Sequence, residues 1–174
     1  MTEVCFVDFP MRAAFACGRG GEGPLVGDGG DVIESDFGEQ VPDDAVAFNG
    51  DSGARLHNVY PLLYNRCVFE ATARFQQPHD GPPIVWSRAA WAGSQRYPLG
   101  WGGAPQSDWE GLAASIRGGL SWGMSGNPYH SSDIGGFYGS SQPSPELFVR
   151  WLQVAVFFSH MRLNGVGERE PWAF

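Results

Sequence analysis

Short apolar runs that end in polar residues alternate with longer amphipathic stretches along this chain. Val4-Cys5-Phe6-Val7-Asp8-Phe9 predicts a short buried strand. Asp31-Val32-Ile33-Glu34-Ser35-Asp36-Phe37-Gly38-Glu39 predicts another, ending in the Asp36 carboxylate. Residues 57–75 predict a helix, with Leu62, Leu63, Cys67, Phe69 and Ala73 as its apolar stripe. Pro83-Ile84-Val85-Trp86-Ser87-Arg88 predicts a strand that again ends in a polar residue, and residues 99–103 a further strand end. A helix is expected from Asp108 to Gly118, with Ser107 competing as its N-cap. Residues 120–126 predict the next strand, residues 130–139 a loop at its carboxyl end, and residues 145–159 a helix with Leu147, Trp151, Val154 and Phe158 on one face.

Strand, polar loop and helix in alternation predict a parallel α/β sheet or barrel. Barrels of this kind carry catalytic side chains at the carboxyl ends of their strands. Residues 10–30 break the pattern: they hold seven glycines and no helical period. Each glycine costs a helix about 1 kcal/mol relative to alanine, so no stable helix is expected there.

With 174 residues the chain fits one domain with a real core, and 43% hydrophobic residues argue against disorder. Gly 25 and Pro 13 make it loop-rich. Plentiful Gly, Trp and Tyr suit either a carbohydrate pocket or an aromatic core. The net charge of −8 opposes general binding to nucleic acid or to an anionic membrane. No apolar run is long enough to span a bilayer, and Met1-Thr2-Glu3-Val4 does not begin a signal peptide pattern. Cys5, Cys17 and Cys67 are odd in number and unpatterned, which predicts reduced thiols and a cytoplasmic location.

A carboxylate ending a buried strand is costly unless used or paired, which makes Asp36 the first candidate for chemistry. Its alternatives are a helix cap or an ion pair. Glu39 reads as a solvated or turn-stabilising acid. Arg88 offers a fixed guanidinium fork for sugar hydroxyls or a carboxylate, or else an ion pair with Asp36 or Asp133. Asp133 lies on the loop after the 120–126 segment, so three charged groups at three strand ends would meet on one barrel face. A second carboxylate is sought after Trp101-Gly102-Gly103, and Ala104 stands there. His130, Asp133 and His160 fit no zinc spacing. Gly93-Ser94-Gln95 and Gly123-Met124-Ser125-Gly126 lack the nucleophile-elbow pattern, and no phosphate loop is present. No metal and no cofactor is expected.

Across most of residues 31–174 the chain resembles glycoside hydrolase family 31, the retaining α-glucosidases and α-xylosidases. The likeness rests on Ser35-Asp36-Phe37-Gly38-Glu39, His57-Asn58-Val59-Tyr60, Ser87-Arg88-Ala89-Ala90-Trp91-Ala92-Gly93 and Trp101-Gly102-Gly103. Residues 110–119, Ser132-Asp133-Ile134-Gly135-Gly136-Phe137 and Arg150-Trp151 extend it. It implies a partial (β/α)8 TIM barrel, roughly its third to seventh strands. It makes Asp36 the nucleophile and Arg88 a ligand of a sugar hydroxyl. Trp101 and Phe137 become apolar walls, and Asp133 holds the sugar or orients Arg88. The family's Asp acid/base is Ala104 here, and its sugar-binding His is Asn164, in Arg162-Leu163-Asn164-Gly165. Where the family has an amphipathic, tryptophan-bearing helix, this chain has residues 10–30. The implied ligand is an α-linked oligosaccharide or glycoside. The implied partner is a companion chain or a second copy at open barrel edges. The alternatives are a sugar-binding pseudoenzyme and a non-functional remnant.

Overall fold

A computed structural model describes residues 6–21, 23–75, 81–140 and 142–174. The chain divides into two compact units, Met1–Leu99 and Gly100–Phe174.

The first unit is built on a parallel pair of strands, β1 (Ile33–Ser35) and β2 (Val85–Ser87), in the register Ile33↔Val85, Glu34↔Trp86, Ser35↔Ser87. Beyond β2 the chain returns, and the amides of Val85 and Ser87 donate to the carbonyls of Pro98 and Leu99 at 2.7 and 3.1 Å. Parallel strands need a long crossover, and a 23-residue helix supplies it. The helices α1 (Arg12–Gly21) and α2 (Gly23–Gly27) precede the crossover, α3 (Gly53–Phe75). Val26, Ile33, Val68 and Val85 form one core cluster, and Phe9, Val41, Leu56, Tyr60 and Cys67 another.

Three expectations change here. Helix α3 begins four residues before residue 57, because Gly53 lets the chain pass so close to the Pro42 carbonyl that any side chain would collide with it. Its buried face includes Tyr60, Asn65, Val68, Ala71 and Thr72, while Ala73 is exposed. The glycine-rich stretch is helical after all. Gly18 sits where a Cβ would come within 3.2 Å of Cys67 Sγ and 3.3 Å of the Phe9 ring, so close packing on α3 overrides poor intrinsic propensity. The expected first strand lies partly outside the described residues, and residues 6–9 form no strand. Cys5 and the Cys17 side chain also lie outside what is described. Cys67 is a buried thiol whose Sγ donates to the Phe15 carbonyl at 3.4 Å.

The second unit contains α4 (Trp109–Met124), α5 (Pro145–Ala155) and, among the described residues, three parallel bridges, Trp101↔Ser131, Gln106↔Tyr138 and Asp133↔Arg162. Asp108 caps α4, its Oδ1 accepting from the Gly111 amide at 2.7 Å, so Asp108 and not Ser107 is the cap. Residues 120–124 continue this helix instead of forming a strand, and the parallel pairing falls at 131–133. Gly119 is needed inside the helix because a Cβ there would overlap the His130 ring. Ser144 caps α5 by accepting from the Leu147 amide at 3.2 Å, and the helix ends at Ala155, four residues short of residue 159. Leu112, Ile134, Leu147, Phe148, Trp151 and Ala155 make the core. Among the described residues no helix is long and apolar enough to cross a membrane.

Burial pushes His160 down to about 4, with His130 and Arg162 nearby adding to the effect. Burial lowers His130 as well. An unfolded imidazole takes up its proton near the ordinary value of 6.5, before the folded one does. The unfolded state therefore binds more protons between 6.5 and about 4, and stability falls as pH falls through that window. Urea unfolding should lose up to about 1.4 kcal/mol per pH unit through His160 between about pH 6 and about pH 4, with His130 adding in the same direction. His160→Gln should flatten that slope; an equally steep slope in the variant would contradict the assignment.

Candidate active site

In the first unit the strand register decides which side chains meet. Asp36 follows β1 and Arg88 follows β2, with the Arg88 amide donating to the Ser35 carbonyl at 3.2 Å. The two side chains therefore leave adjacent parallel strands at the same end. Arg88 Nη1 lies 3.3 Å from Asp36 Oδ1, and Arg88 Nη2 lies 2.7 Å from Glu39 Oε1. Its guanidinium carbon stands 4.5 Å from the Phe37 ring centroid. Phe37 holds a φ of 59°, a left-handed conformation rare for a bulky side chain. It turns the chain so that Asp36 and Glu39 address one cation, and the Phe37 amide donates to Asp36 Oδ1 at 2.9 Å. Glu39 is thus an ion-pair partner of Arg88, not a solvated or turn acid. Periodicity could not show this, because the pairing depends on the turn at Phe37.

Asp36 remains 47% exposed, so a ligand can reach it. A cavity of about 530 Å³ opens beside it, lined by Phe6, Phe9, Phe37, Tyr60 and Tyr64 among others. Burial, with Tyr64 close by, pushes Tyr60 up to about 12, so it stays a neutral phenol.

The second unit places the other candidates. Asp133 is fully buried and accepts from Arg162 Nε at 2.6 Å. The same guanidinium lies 4.8 Å from the Trp101 ring centroid, and Trp101 is 5% exposed. Trp101 and Asp133 therefore share Arg162, which the sequence reading passed over. Ala104 is half-buried in the loop before α4. That loop is zipped to the Phe137 loop: the Phe137 amide donates to the Pro105 carbonyl and the Ser107 amide to the Tyr138 carbonyl, both at 2.7 Å. Phe137 and Asn164 are half-buried, and the Val166 amide donates to the Phe137 carbonyl at 2.7 Å. Among the described residues no group of three or more His, Cys, Asp or Glu side chains gathers as a metal site.

Arg169 was also missed. It is 2% exposed and donates to the Gly136 carbonyl (2.8 Å), the Glu168 carbonyl (2.9 Å), the Ser140 carbonyl (2.9 Å) and Ser107 Oγ (3.1 Å). It fastens the loops carrying Ala104 and Phe137 to the C-terminal segment. Burial lowers its pKa, against an opposing pull from Asp133.

Carboxylates and guanidinium groups at the carboxyl ends of parallel strands are the working face of an α/β barrel, and comparison with known proteins gives the class. Residues 6–174 match the model for the glycosyl hydrolases family 31 TIM-barrel domain, and the chain belongs to that family. It is 38% identical over 170 residues to an alpha-xylosidase of Emericella nidulans, covering 97% of this chain and 21% of that protein. It is 35% identical over 147 residues to the sulfoquinovosidase of Escherichia coli, covering 80% and 21%. Among solved structures, it superposes on a family 31 sulfoquinovosidase from E. rectale with a TM-score of 0.83 at 34% identity, covering 93% of this chain and 25% of that one. A cycloalternan-degrading enzyme from Trueperella pyogenes, solved with a covalent intermediate, gives 0.83 at 28% identity, covering 95% and 24%. The chain thus spans about a fifth to a quarter of the length of these relatives.

Replacing Arg169 by Met should lower stability by on the order of 3 kcal/mol, because several carbonyls lose their donor inside the protein. Arg169→Lys should recover little, since one ammonium cannot reproduce the fork. Thermal unfolding of the three proteins reads this out, and a melting temperature unchanged in Arg169→Met would contradict it.

Proposed function

We propose that this chain supplies barrel strands and substrate-binding groups of a retaining α-glycosidase of the α-xylosidase or α-glucosidase type. The strands are roughly the third to seventh. Asp36 is the nucleophile, and Arg88 binds a hydroxyl of the sugar it attacks. The observation that carries this reading is an exposed carboxylate at the end of β1, within 3.3 Å of a guanidinium at the end of β2. Phe137 and Trp101 serve as apolar walls. Asp133, whose carboxylate holds Arg162, and Asn164 are further sugar-binding groups by the family likeness. Neither a metal nor a cofactor takes part in this scheme.

In the first step an Asp36 oxygen forms a bond to the anomeric carbon. The glycosidic C–O bond breaks, and its electron pair leaves with the aglycone oxygen. The T. pyogenes relative was solved with a covalent intermediate, which supports this route. The departing oxygen needs a proton, and the later water needs a base. Ala104 supplies neither. Only aglycones stable as anions should leave readily, and a nucleophile that needs no base should release the sugar.

A second reading, sugar binding without turnover, is favoured by the Ala104 methyl group alone. A companion chain or second copy paired on the outer edge of β1 is compatible with either reading, since β1 pairs only with β2 among the described strands.

Dinitrophenyl α-xyloside and α-glucoside separate the readings. Azide should accelerate phenol release and yield the α-glycosyl azide, and Asp36→Ala should abolish both. Ala104→Asp should raise turnover of unactivated glycosides by about two to four orders of magnitude. No phenol release with or without azide, alongside sugar binding that Arg88→Ala removes, would establish the second reading instead.

A further inference from the structure

The ends of β1 and β2 are tied together by one buried side chain from the helix that crosses between them. Asn65 lies on the inner face of α3 and is 1% exposed. Its Nδ2 donates to the Ala89 carbonyl at 2.9 Å, and its Oδ1 accepts from Ser35 Oγ at 3.0 Å. A carbonyl can only accept, so the amide nitrogen faces Ala89 and the oxygen is left for the serine hydroxyl. Ser35 immediately precedes Asp36, and Ala89 immediately follows Arg88.

We infer that Asn65 is a positioning residue, setting the separation and direction of the Asp36 carboxylate and the Arg88 guanidinium. The inference rests on the reading of these two residues as nucleophile and sugar ligand. The β1–β2 ladder is only three residues long and ends at Ser35↔Ser87. Past that point the Arg88 amide on the Ser35 carbonyl links the two chains at 3.2 Å, and Asn65 adds a second tie. The exposed Arg88–Asp36 contact at 3.3 Å is too weak to fix the backbones that carry it. An amide on the buried face of α3 costs desolvation that an apolar side chain of similar size would not, and its hydrogen bonds only offset that cost. A group kept at such a place acts through geometry, and small displacements of reacting groups cost rate steeply.

The test uses the full chain with Asn65→Asp, Asn65→Leu and Ser35→Ala, comparing thermal unfolding, dinitrophenyl glycoside kinetics with azide, and the Arg88 guanidinium NMR signal, assigned with Arg88→Lys. In Asn65→Asp the protonated carboxyl can donate to the Ala89 carbonyl and accept from Ser35 as the amide does, whereas the ionised one cannot donate. Asn65→Asp should therefore lose about ten-fold or more in kcat at high pH with little change in KM. It should recover at low pH through an ionisation absent from the parent and from Asn65→Leu. The Arg88 signal should move in Asn65→Leu and, by a smaller amount, in Ser35→Ala. Variants that melt earlier but keep the parent's kcat, pH profile and Arg88 signal would overturn the inference and leave Asn65 a structural residue. Should the parent release no phenol, the nucleophile reading fails on its own account. The Arg88 signal then decides the positioning claim, and an unmoved signal in the folded variants refutes it. Should Asn65→Leu not fold, Ser35→Ala and the pH dependence of Asn65→Asp carry the same decision.

Discussion

The register of β1 on β2 is the constraint on which the candidate site depends. Side chains alternate along a strand, so pairing Ser35 with Ser87 settles which faces are buried and which residues come next at the strand ends. Those next residues are Asp36 and Arg88. A slip of one position would turn Ile33 and Ser35 out of the core and separate the carboxylate from the guanidinium. An exposed ion pair contributes little stability, so causation runs one way. The apolar cluster of Val26, Ile33, Val68 and Val85 holds the register, and the register holds the ion pair.

The second unit reaches a comparable rigidity with cations. A buried guanidinium is tolerable only when its donors find acceptors. Arg162 finds Asp133 and lies over Trp101, while Arg169 finds three carbonyls and a hydroxyl. Each joins segments distant in sequence. Gly135 and Gly136, at φ of 84° and 83°, let the Phe137 loop fold down upon Ser107, where any side chain at Gly136 would overlap the backbone. Fixed loops and fixed cations therefore arise from the same local choices.

What the sequence made legible follows from how local the signal is. Asp36 and Arg88 could be placed because Val-Ile and Ile-Val-Trp runs ending in polar residues mark strand ends over a few positions. Asp108 could be placed because capping is a contact over three residues. The misreadings share an opposite cause. Gly18 reads as a helix breaker and Gly119 falls just beyond the expected helix, yet each answers a neighbour outside its own helix: Cys67 and Phe9 for one, His130 for the other. Asn65 escaped notice because a polar residue on an apolar face reads as noise until its two partners are known. Arg162 and Arg169 escaped, and Glu39 reads as a solvated or turn acid instead of a partner of Arg88, because an arginine or glutamate in a loop carries no period. The barrel class came through strand–helix alternation and a family likeness. Neither source determines which side chain shares which cation.

Ala104 then poses a sharper question than truncation of a side chain usually does. Its loop is held by Pro105 and Ser107 through main-chain bonds to the Phe137 loop and by Arg169 through Ser107 Oγ. None of these contacts uses the side chain at position 104, so its identity can change without unfastening the loop. In the proposed scheme that makes the loss chemical and not architectural. The attack by Asp36 requires a carboxylate, a held sugar and a departing group. Only the departure, and the later activation of water, require a second carboxylate. A methyl group at that place therefore divides the reaction at a defined step. It leaves bond formation at the anomeric carbon to the aglycone's own stability as an anion, and release of the sugar to whatever nucleophile needs no base.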